Sequence, residues 1–289
     1  MTENSSKKTF VITGATSGIG LAILEGLLEK ELNVIGIGRS PERCTQQMER
    51  LRETSSQGKV AYIVADLSLQ ANIRMAAGEI KNILKEWEAV GLDGLVNNAG
   101  TFTFWQTLTP EGFETQWAVN HLAPFLLTNL LLPVLGKSAD ARVITISSGS
   151  HYGAKLNWSD IQQLGRYNPL KAYKHTKLAN VLFTAELNRR LGPDSPIRGV
   201  AADPGLVNTD IGGKTDSRLA KRIWTRRRKS GLPAAQSAAG IIKLLLDSNW
   251  KTKNEIYWKH GKSKRPNPFA LDQNHGWRLW EISARMTGI

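Results

Sequence analysis

A tyrosine and a lysine four positions apart, Tyr173 and Lys177, stand in the stretch AYKHTKLAN. Residues i and i+4 share one face of a helix, so Lys174 and His175 face elsewhere and are expected to be solvated or packed. A tyrosine has a pKa of about 10 and is a poor acid or base in neutral water, but a nearby ammonium favours the phenolate and lowers that pKa. The spacing therefore predicts an acid/base group and a lysine that tunes it. The alternative is a pair that only decorates a helix surface.

Two serines end the apolar run ARVITISS (141–148), which predicts a strand. Neighbouring side chains of a strand point to opposite faces, so only one of Ser147 and Ser148 can reach a site beside Tyr173. A serine hydroxyl there could hydrogen-bond a substrate oxygen and hold it about 3 Å from the phenol. A long helical segment at 112–135 contains Asn120, although an amide is a mediocre helix former. We therefore keep Asn120 as a further candidate.

The stretch TGATSGIG (13–20) joins a predicted strand, TFVITGA (9–15), to a predicted helix at 19–30. A tight turn needs the first glycine, close approach of a pyrophosphate needs the second, and packing of the helix on the strand needs the third. The helix start then offers free N–H groups and a partial positive charge to phosphate. A dinucleotide is the expected ligand, and its candidate contacts here are Gly14, Thr16, Ser17, Gly18, Ile19 and Gly20.

The second predicted strand, LNVIGIG (32–38), is followed by Arg39 and Ser40 and carries no acid. An NAD-binding domain usually has Asp or Glu at this point to accept from the ribose 2′-OH, whereas a guanidinium forks well onto a 2′-phosphate. We therefore predict NADP(H) rather than NAD(H). The alternative is that Arg39 is only a surface residue at a strand end.

Two further strand ends supply cofactor candidates. The strand VAYIVADL (60–67) ends on a carboxylate that can accept from the adenine amino group, and NNAG (97–100) provides amides and a flexible backbone beside the ribose path. The candidate residues are Asp66, Leu67, Asn98, Ala99 and Gly100.

Apolar strands alternate with helical segments along the chain, which predicts an α/β fold. The predicted strands are 9–15, 32–38, 60–67, 92–100, 141–148, 197–205 and 254–258, and the predicted helices are 19–30, 41–53, 112–135 with a bend near Pro124, 172–191 and 233–247. We expect one domain over residues 1–289, a doubly wound and mostly parallel sheet of about seven strands with helices on both faces. Ligands bind beyond the carboxyl ends of such strands, where the motifs above lie.

The net charge of +13 lies mostly late in the sequence, because residues 214–265 contain fifteen Lys and Arg against three acids. Such a surface could attract an anionic substrate, anionic lipid or nucleic acid, or it could be only a solvated flap. Within it, RLAKRIWTRRRKSG (218–231) could form an amphipathic helix that contacts an anionic membrane.

Other features narrow the setting. The single cysteine, Cys44, excludes an intramolecular disulfide. We find no signal peptide and no run of about 18 apolar residues, which predicts a cytoplasmic protein with peripheral membrane contact left open. Neither a metal nor a specific nucleic acid is expected, and the oligomeric state is left open.

The motifs TGATSGIG, NNAG, ITISSGS, YKHTK and DPGLVNT, with the asparagine of WAVNHLAPF, resemble the short-chain dehydrogenase/reductase family over nearly the whole chain. Within that family the stretches YKHTKLANVLFTAELNRRL, VNHLAPFLLT and RLWEISARMTGI are most similar to the retinol dehydrogenase-like branch and its protochlorophyllide reductase relatives. The resemblance implies a Rossmann fold. It also implies a catalytic set consisting of Asn120, Ser148, Tyr173 and Lys177.

The resemblance implies a basic substrate lid at about 206–232, and it assigns parts to the candidate residues. Ser148 is favoured over Ser147, Lys177 also donates to the nicotinamide ribose, and Asn120 holds a water that relays protons to Lys177. At DPGLVNT the backbone approaches the nicotinamide carboxamide and a threonine meets a phosphate, so the last cofactor candidates are Pro204, Gly205, Val207 and Thr209.

The expected function is that of an NADP(H)-dependent oxidoreductase whose small-molecule substrate is a carbonyl compound or an alcohol. Aromatic residues in TFTFW (101–105) suggest an apolar and bulky substrate such as a retinal-like aldehyde or ketone, although these rings could equally be packing. Two alternatives are a non-catalytic dinucleotide-sensing protein with a basic interaction surface and a light-dependent pigment reductase.

Overall fold

The computed structural model describes residues 7–54, 57–207, 231–247 and 255–289. Its strands are β1 (Thr9–Thr13), β2 (Asn33–Gly38), β3 (Val60–Val64), β4 (Gly94–Asn97), β5 (Ala141–Ile146), β6 (Ile197–Asp203), β7 (Tyr257–Lys259) and β8 (Lys262–Ser263). Its helices are α1 (Gly18–Leu28), α2 (Pro41–Thr54), α3 (Gln70–Glu86), α4 (Thr115–Trp117), α5 (Ala123–Leu135), α6 (Pro169–Leu191), α7 (Ala234–Leu246) and α8 (Gln273–Thr287).

The strands form one sheet in the order β3-β2-β1-β4-β5-β6-β7-β8. Neighbouring strands run parallel except for β7 and β8, which form an antiparallel pair at the edge. The prediction of a mostly parallel, doubly wound sheet is confirmed, and the two-residue strand β8 is an addition to it. The strand order reverses between β1 and β4, which opens a crevice at their carboxyl ends.

Helices cover both faces of the sheet because the strands are apolar on both sides. Strands β1, β2 and β5 are buried along their whole length. One core lies under α1 and α7, and the other lies under α3 and α5. The last helix, α8, packs outside α5 and α6, where Trp280 lies between Phe125 and Phe183 at ring-centroid distances of 5.0 and 5.9 Å.

The long helical segment predicted at 112–135 is interrupted. Helix α4 continues into a π-helical turn, Ala118–Leu122, and then into α5. In this turn Ala123 donates its N–H to Ala118, five residues back, and Pro124 has no N–H to donate. The α-helical hydrogen-bond pattern is therefore interrupted at this point, and Asn120 lies within the irregular turn.

By length and composition, Thr115–Leu135 is the one helix in the described ranges that could cross a membrane. About two thirds of its apolar window, 67%, is buried inside the fold. A helix in the core of a folded domain also meets these criteria of length and composition, and the burial of Thr115–Leu135 agrees with a core position.

The predicted lid at 206–232 lies almost wholly outside the described residues, which omit 208–230. The cofactor candidate Thr209 and all but the last residue of the proposed membrane-contacting segment 218–231 fall in the same gap.

Candidate active site

The glycine loop lies between β1 and α1, as the sequence predicts. Gly14 adopts a φ of +67°, a left-handed conformation that side chains rarely accept. Gly20 is needed for space, because an added Cβ would collide with the carbonyl oxygen of Gly14 and lie 2.5 Å from Nδ2 of Asn98. The loop is therefore tightly fitted against the end of β4.

The start of α1 is suited to an anion. Ser17 caps the helix without a side-chain hydrogen bond, and the first turn carries no acid. Thr16, Gly18 and Ile19 are partly exposed around it. Uncapped N–H groups and the helix dipole favour phosphate here, so these residues fit the pyrophosphate of a dinucleotide.

We predict that Gly20→Ala destabilises the fold by about 1–3 kcal/mol, because backbone and amide atoms cannot move away from the new Cβ. Gly78→Ala in α3 is the matched control, since nothing lies within 4 Å of its added Cβ. That control should stabilise the protein by about 0.5–1 kcal/mol through helix propensity. Urea unfolding measures both, and equal effects of the two substitutions would contradict the steric account.

The NNAG segment is held by a residue that the sequence analysis did not single out. The hydroxyl of Thr13 accepts from the backbone N–H groups of Asn98 and Ala99, both at 2.9 Å. The amide of Asn98 donates to the carbonyl of Thr13 at 2.9 Å, and Asn97 donates to Thr128. Both amides are thus used within the fold, while Ala99 and Gly100 remain partly exposed at the crevice.

Arg39 is exposed at the end of β2, and Ser40 beside it is partly exposed. The hydroxyl of Ser40 donates to Glu42 at 2.6 Å, and this hydrogen bond lowers the pKa of that carboxyl. An acid does follow the strand, because Glu42 lies in the first turn of α2. The Arg39 guanidinium and this carboxylate therefore both stand near the end of β2.

At the end of β3, Asp66 is partly buried and accepts from the N–H of Ser68 at 2.9 Å. Leu67 beside it is buried in the core, at 8% exposure. The second carboxylate oxygen of Asp66 can accept a further hydrogen bond, which fits an adenine amino group. Leu67 can contribute only backbone or packing.

Tyr173 and Lys177 lie on the same face of α6, next to the end of β5. The ammonium Nζ of Lys177 is 5.5 Å from the ring centroid of Tyr173 and donates to the carbonyl of Ile146 at 3.1 Å. Lys177 is 3% exposed, and burial lowers its pKa to about 8. Lys174 is partly exposed, and His175 is buried on another face of the helix.

The pKa of Tyr173 differs from the expectation. Burial, with a smaller contribution from the charge of Asp203, raises it to about 12, and a hydrogen bond with Ser148 acts in the opposite direction. The sequence predicts that Lys177 lowers this pKa, but in the protein alone burial is the largest influence and the net shift is upward. Tyr173 is therefore protonated at neutral pH, the form that can donate a proton.

The side chains of the two serines that follow β5 point in different directions. Ser147 is buried and donates to the backbone carbonyl of Lys177 at 2.8 Å, so its hydroxyl is occupied inside the fold. Ser148 is partly exposed, and its hydroxyl oxygen accepts from the N–H of Ser150 at 3.2 Å. The Ser148 hydroxyl keeps its proton for another acceptor and lies on the side of Tyr173.

Asn120 is 1% exposed in the π-helical turn, and its side chain is fully engaged. Its Oδ1 accepts from the N–H of Thr101 at 2.7 Å, and its Nδ2 donates to the carbonyl of Thr101 and to the hydroxyl of Thr176. The side chain thus links the loop after β4 to Thr176 of α6, the residue that precedes Lys177.

Asp203 at the end of β6 was missed as a site residue. Its carboxylate is 3% exposed, accepts from the N–H of Gly205 at 2.8 Å and from the hydroxyl of Tyr257 at 2.9 Å, and lies 3.6 Å from Nζ of Lys259. Its charge raises the pKa of both Tyr173 and Lys177. The turn that it holds contains the described cofactor candidates Pro204, Gly205 and Val207.

An aromatic wall stands against Tyr173. Phe102 contacts the Tyr173 ring edge-to-face at 5.7 Å and the Phe104 ring at 5.0 Å. Trp105, later in the same loop, is 73% exposed, and Leu206, in the turn after β6, is 51% exposed. Phe102 thus makes the surroundings of the phenol ring apolar.

In the described parts of the chain, no group of three or more His, Cys, Asp or Glu could hold a metal ion. A surface groove of about 740 Å³ lies away from the strand ends, between residues 158–164 and α8. None of the residues discussed above lines it, so the candidate site is the crevice at the strand ends.

Comparison with known proteins agrees with this geometry. The short chain dehydrogenase family model matches residues 8–220. Human polyprenol dehydrogenase is 33% identical over 96% of this chain and 84% of its own length. Human retinol dehydrogenase 13 is 35% identical over 98% of this chain and 85% of its own.

Solved structures share the fold. A crystal structure of an uncharacterized Mycobacterium paratuberculosis protein has a TM-score of 0.72 and 30% identity, covering 98% of this chain and 94% of that one. A Sphingobium yanoikuyae short-chain dehydrogenase in complex with NADPH has a TM-score of 0.66 and 21% identity, covering 87% of each chain. The chain therefore belongs to the short-chain dehydrogenase family, in its retinol dehydrogenase-like branch, and is an oxidoreductase of a small-molecule CH–OH/C=O couple with a nicotinamide cofactor.

Proposed function

We propose that the protein transfers a hydride between NADP(H) and an apolar, bulky carbonyl or alcohol, with Tyr173 as the acid/base group. The observation that carries this proposal is the meeting of Tyr173, Lys177 and Ser148 at the end of β5, on the edge of the sheet where the glycine loop follows β1. Arg39 after an acid-free β2 supports NADP(H), and the wall formed by Phe102 supports an apolar substrate.

In the reductive direction, Ser148 donates a hydrogen bond to the substrate oxygen and holds it beside Tyr173. The bound cofactor supplies the hydride to the carbonyl carbon. Tyr173 donates its phenolic proton to the oxygen as charge develops there, and oxidation runs the same proton transfer backwards. The ammonium of Lys177 stabilises the phenolate that is left.

The cofactor is the first finer claim that can be tested. We expect Arg39→Glu to raise the Kd for NADPH by about 10- to 100-fold, because a charge-assisted contact with the 2′-phosphate is replaced by repulsion. The Kd for NADH should change by less than about threefold, since that cofactor lacks the phosphate. Fluorescence of the reduced nicotinamide measures both constants.

Arg52→Glu is the matched control for Arg39→Glu, because Arg52 is an exposed arginine in the last turn of α2. It makes the same change in net charge at a distance from the strand end. An unchanged ratio of the two Kd values in Arg39→Glu would remove Arg39 from the cofactor site.

The substrate class is tested with NADPH and three aldehydes: all-trans-retinal, a long-chain aliphatic aldehyde and glyceraldehyde. We expect kcat/KM to be much higher for the two apolar aldehydes, because Phe102 makes the surroundings of Tyr173 apolar. Equal values for glyceraldehyde would reject an apolar substrate, and equal rates with NADH would reject NADP(H) as the preferred cofactor.

A further inference from the structure

The turn that follows Ser148, Gly149–Gly153, contains a histidine with no part in the proposed chemistry. His151 is completely buried. Its Nδ1 lies 2.7 Å from the carbonyl oxygen of Ser148, and its backbone N–H donates to the same oxygen at 3.1 Å. On the other side of the ring, Nε2 lies 3.2 Å from the backbone nitrogen of Asn267. The imidazole thus bridges two segments 116 residues apart.

The two partners determine which nitrogen of His151 carries the proton. A carbonyl oxygen can only accept, so Nδ1 must be the donor toward Ser148. A backbone N–H can only donate, so Nε2 must be the acceptor toward Asn267. Burial lowers the pKa of the imidazole, which favours the neutral ring that this arrangement requires. The ring is therefore fixed in a single tautomer and a single orientation.

Asn267 completes the attachment with its side chain. Its Nδ2 donates to the carbonyl oxygens of His151 and Ala154, each at 2.9 Å, and its Oδ1 accepts from the N–H of Phe269 at 3.0 Å. Asn267 is 8% exposed, so these bonds are shielded from water. Both ends of the turn after Ser148 are therefore tied to the segment that follows β8.

The His151 ring also reaches toward the other loop of the site. It packs against the Tyr257 ring at 4.5 Å, and the hydroxyl of Tyr257 donates to Asp203, which holds the N–H of Gly205. One buried cluster thus supports the loops after β5 and β6 together.

We propose that His151, held by Asn267, is a positioning residue that fixes the hydroxyl of Ser148 for the substrate oxygen. The inference rests on the proposed function, because it takes Ser148 as the residue that orients the substrate. The polar groups of Ser148 are bonded within this turn, the carbonyl to His151 and the hydroxyl oxygen to the N–H of Ser150. A turn that shifts therefore moves the hydroxyl as well.

Two substitutions of His151 each preserve one of the two hydrogen bonds of the imidazole ring and remove the other. His151→Asn places an amide N–H near the position of Nδ1 and keeps the bond to Ser148, while His151→Gln places an amide oxygen near Nε2 and keeps only the bond to Asn267. We expect His151→Gln to lower kcat for all-trans-retinal with NADPH by about tenfold, because small misplacement of a reacting group is costly. His151→Asn should stay within about threefold of the wild type.

The control is Tyr152→Phe. It keeps the ring that packs on His151 at 4.1 Å and removes only a hydroxyl bond to the carbonyl of Arg265 at 2.7 Å. It therefore weakens the same pair of segments without touching Ser148, and kcat should stay near the wild-type value. The Kd for NADPH should be unchanged in all three variants, which separates positioning of Ser148 from damage to the cofactor site.

A second measurement uses the protein without cofactor or substrate. Amide hydrogen exchange over residues 148–154 should be faster in His151→Gln than in the wild type, with exchange over β5 unchanged. The same exchange in His151→Asn should be closer to the wild type. Equal exchange in all variants would show that the ring does not fix the turn, and would overturn the inference.

A double substitution distinguishes this inference from the proposed function. If His151 acts through Ser148, His151→Gln should have little further effect on kcat in a Ser148→Ala background. Additive losses would overturn the inference and leave the proposed function intact. If Ser148→Ala alone kept the wild-type kcat, the proposed role of Ser148 and the inference built on it would both be wrong.

Discussion

Replacing Tyr173 by Phe is expected to lower kcat by about 10²- to 10⁴-fold, the usual contribution of a positioned general acid. The phenyl ring keeps the edge-to-face contact with Phe102, so the wall of the site stays in place. Only the hydroxyl is lost, and with it the proton that the substrate oxygen must receive. The Kd for NADPH should change by less than about threefold, because a single neutral hydrogen bond contributes little to binding.

The measurement is single-turnover reduction of all-trans-retinal by bound NADPH, with nicotinamide fluorescence reporting the Kd in the same sample. Tyr152→Phe is again the control, since it removes a phenolic hydroxyl that faces the carbonyl of Arg265 and not the strand end. A Tyr173→Phe variant with wild-type kcat would falsify the mechanism. Loss of NADPH binding instead of kcat would show that the hydroxyl serves the cofactor.

Local sequence rules were sufficient for the parts of the site that lie close together in the chain. Spacing of four on a helix put Tyr173 and Lys177 on one face, and strand alternation separated Ser147 from Ser148. The alternation of strands and helices likewise predicted the doubly wound sheet, which the structure confirms. Each of these rules depends only on neighbours within a few residues.

Contacts between distant residues were not predictable from such rules. Thr13 holds NNAG across 85 residues, and Asn267 holds the turn after Ser148 across 116. Asp203 could be read only as part of a turn motif, because its partner Tyr257 lies in another strand. A single sequence shows the residue types but not which distant segments meet.

Two helices were missed for different reasons. Helix α3 buries Ile73, Ala76, Ile80 and Leu84, a helical spacing that was visible in the sequence. Helix α8 buries Gly276, Leu279, Ser283 and Thr287, of which only Leu279 is a large apolar residue, so residue type does not mark this face as buried. Its inward polar groups are satisfied by tertiary contacts, as where Ser283 lies 2.8 Å from Nε2 of His121.

The pKa of Tyr173 shows where electrostatic reasoning from sequence failed. Spacing gives the neighbourhood of an ammonium but not the degree of burial, and here desolvation of the phenolate is the larger effect. Lys177 is itself desolvated and donates to the carbonyl of Ile146. The protein thus keeps the phenol protonated, and the positive charge of the site depends on a lysine that is costly to bury.

Replacing Lys177 by Met is therefore expected to stop turnover and to make the protein more stable. The folded-state pKa of about 8 lies below the model-compound value of 10.5, so below pH 8 the lysine is charged in both states and the full cost of burying the charge is present. Met removes that cost, and the gain in unfolding free energy at pH 7 should be on the order of 1–3 kcal/mol. The loss in kcat should be about 10²-fold or more, because the phenolate loses its counter-charge.

The difference in unfolding free energy between Lys177→Met and the wild type should depend on pH. As pH rises from 8 to 10.5, the folded wild type loses the lysine proton before the unfolded chain does, so wild-type stability rises and the advantage of Lys177→Met shrinks. Urea unfolding of both proteins at pH 7 and pH 10 measures the difference. Lys174→Met is the control, since Lys174 is partly exposed on another face of α6 and should show neither effect. A Lys177→Met protein that is less stable at pH 7 would mean that the bond to Ile146 contributes more than burial of the charge costs.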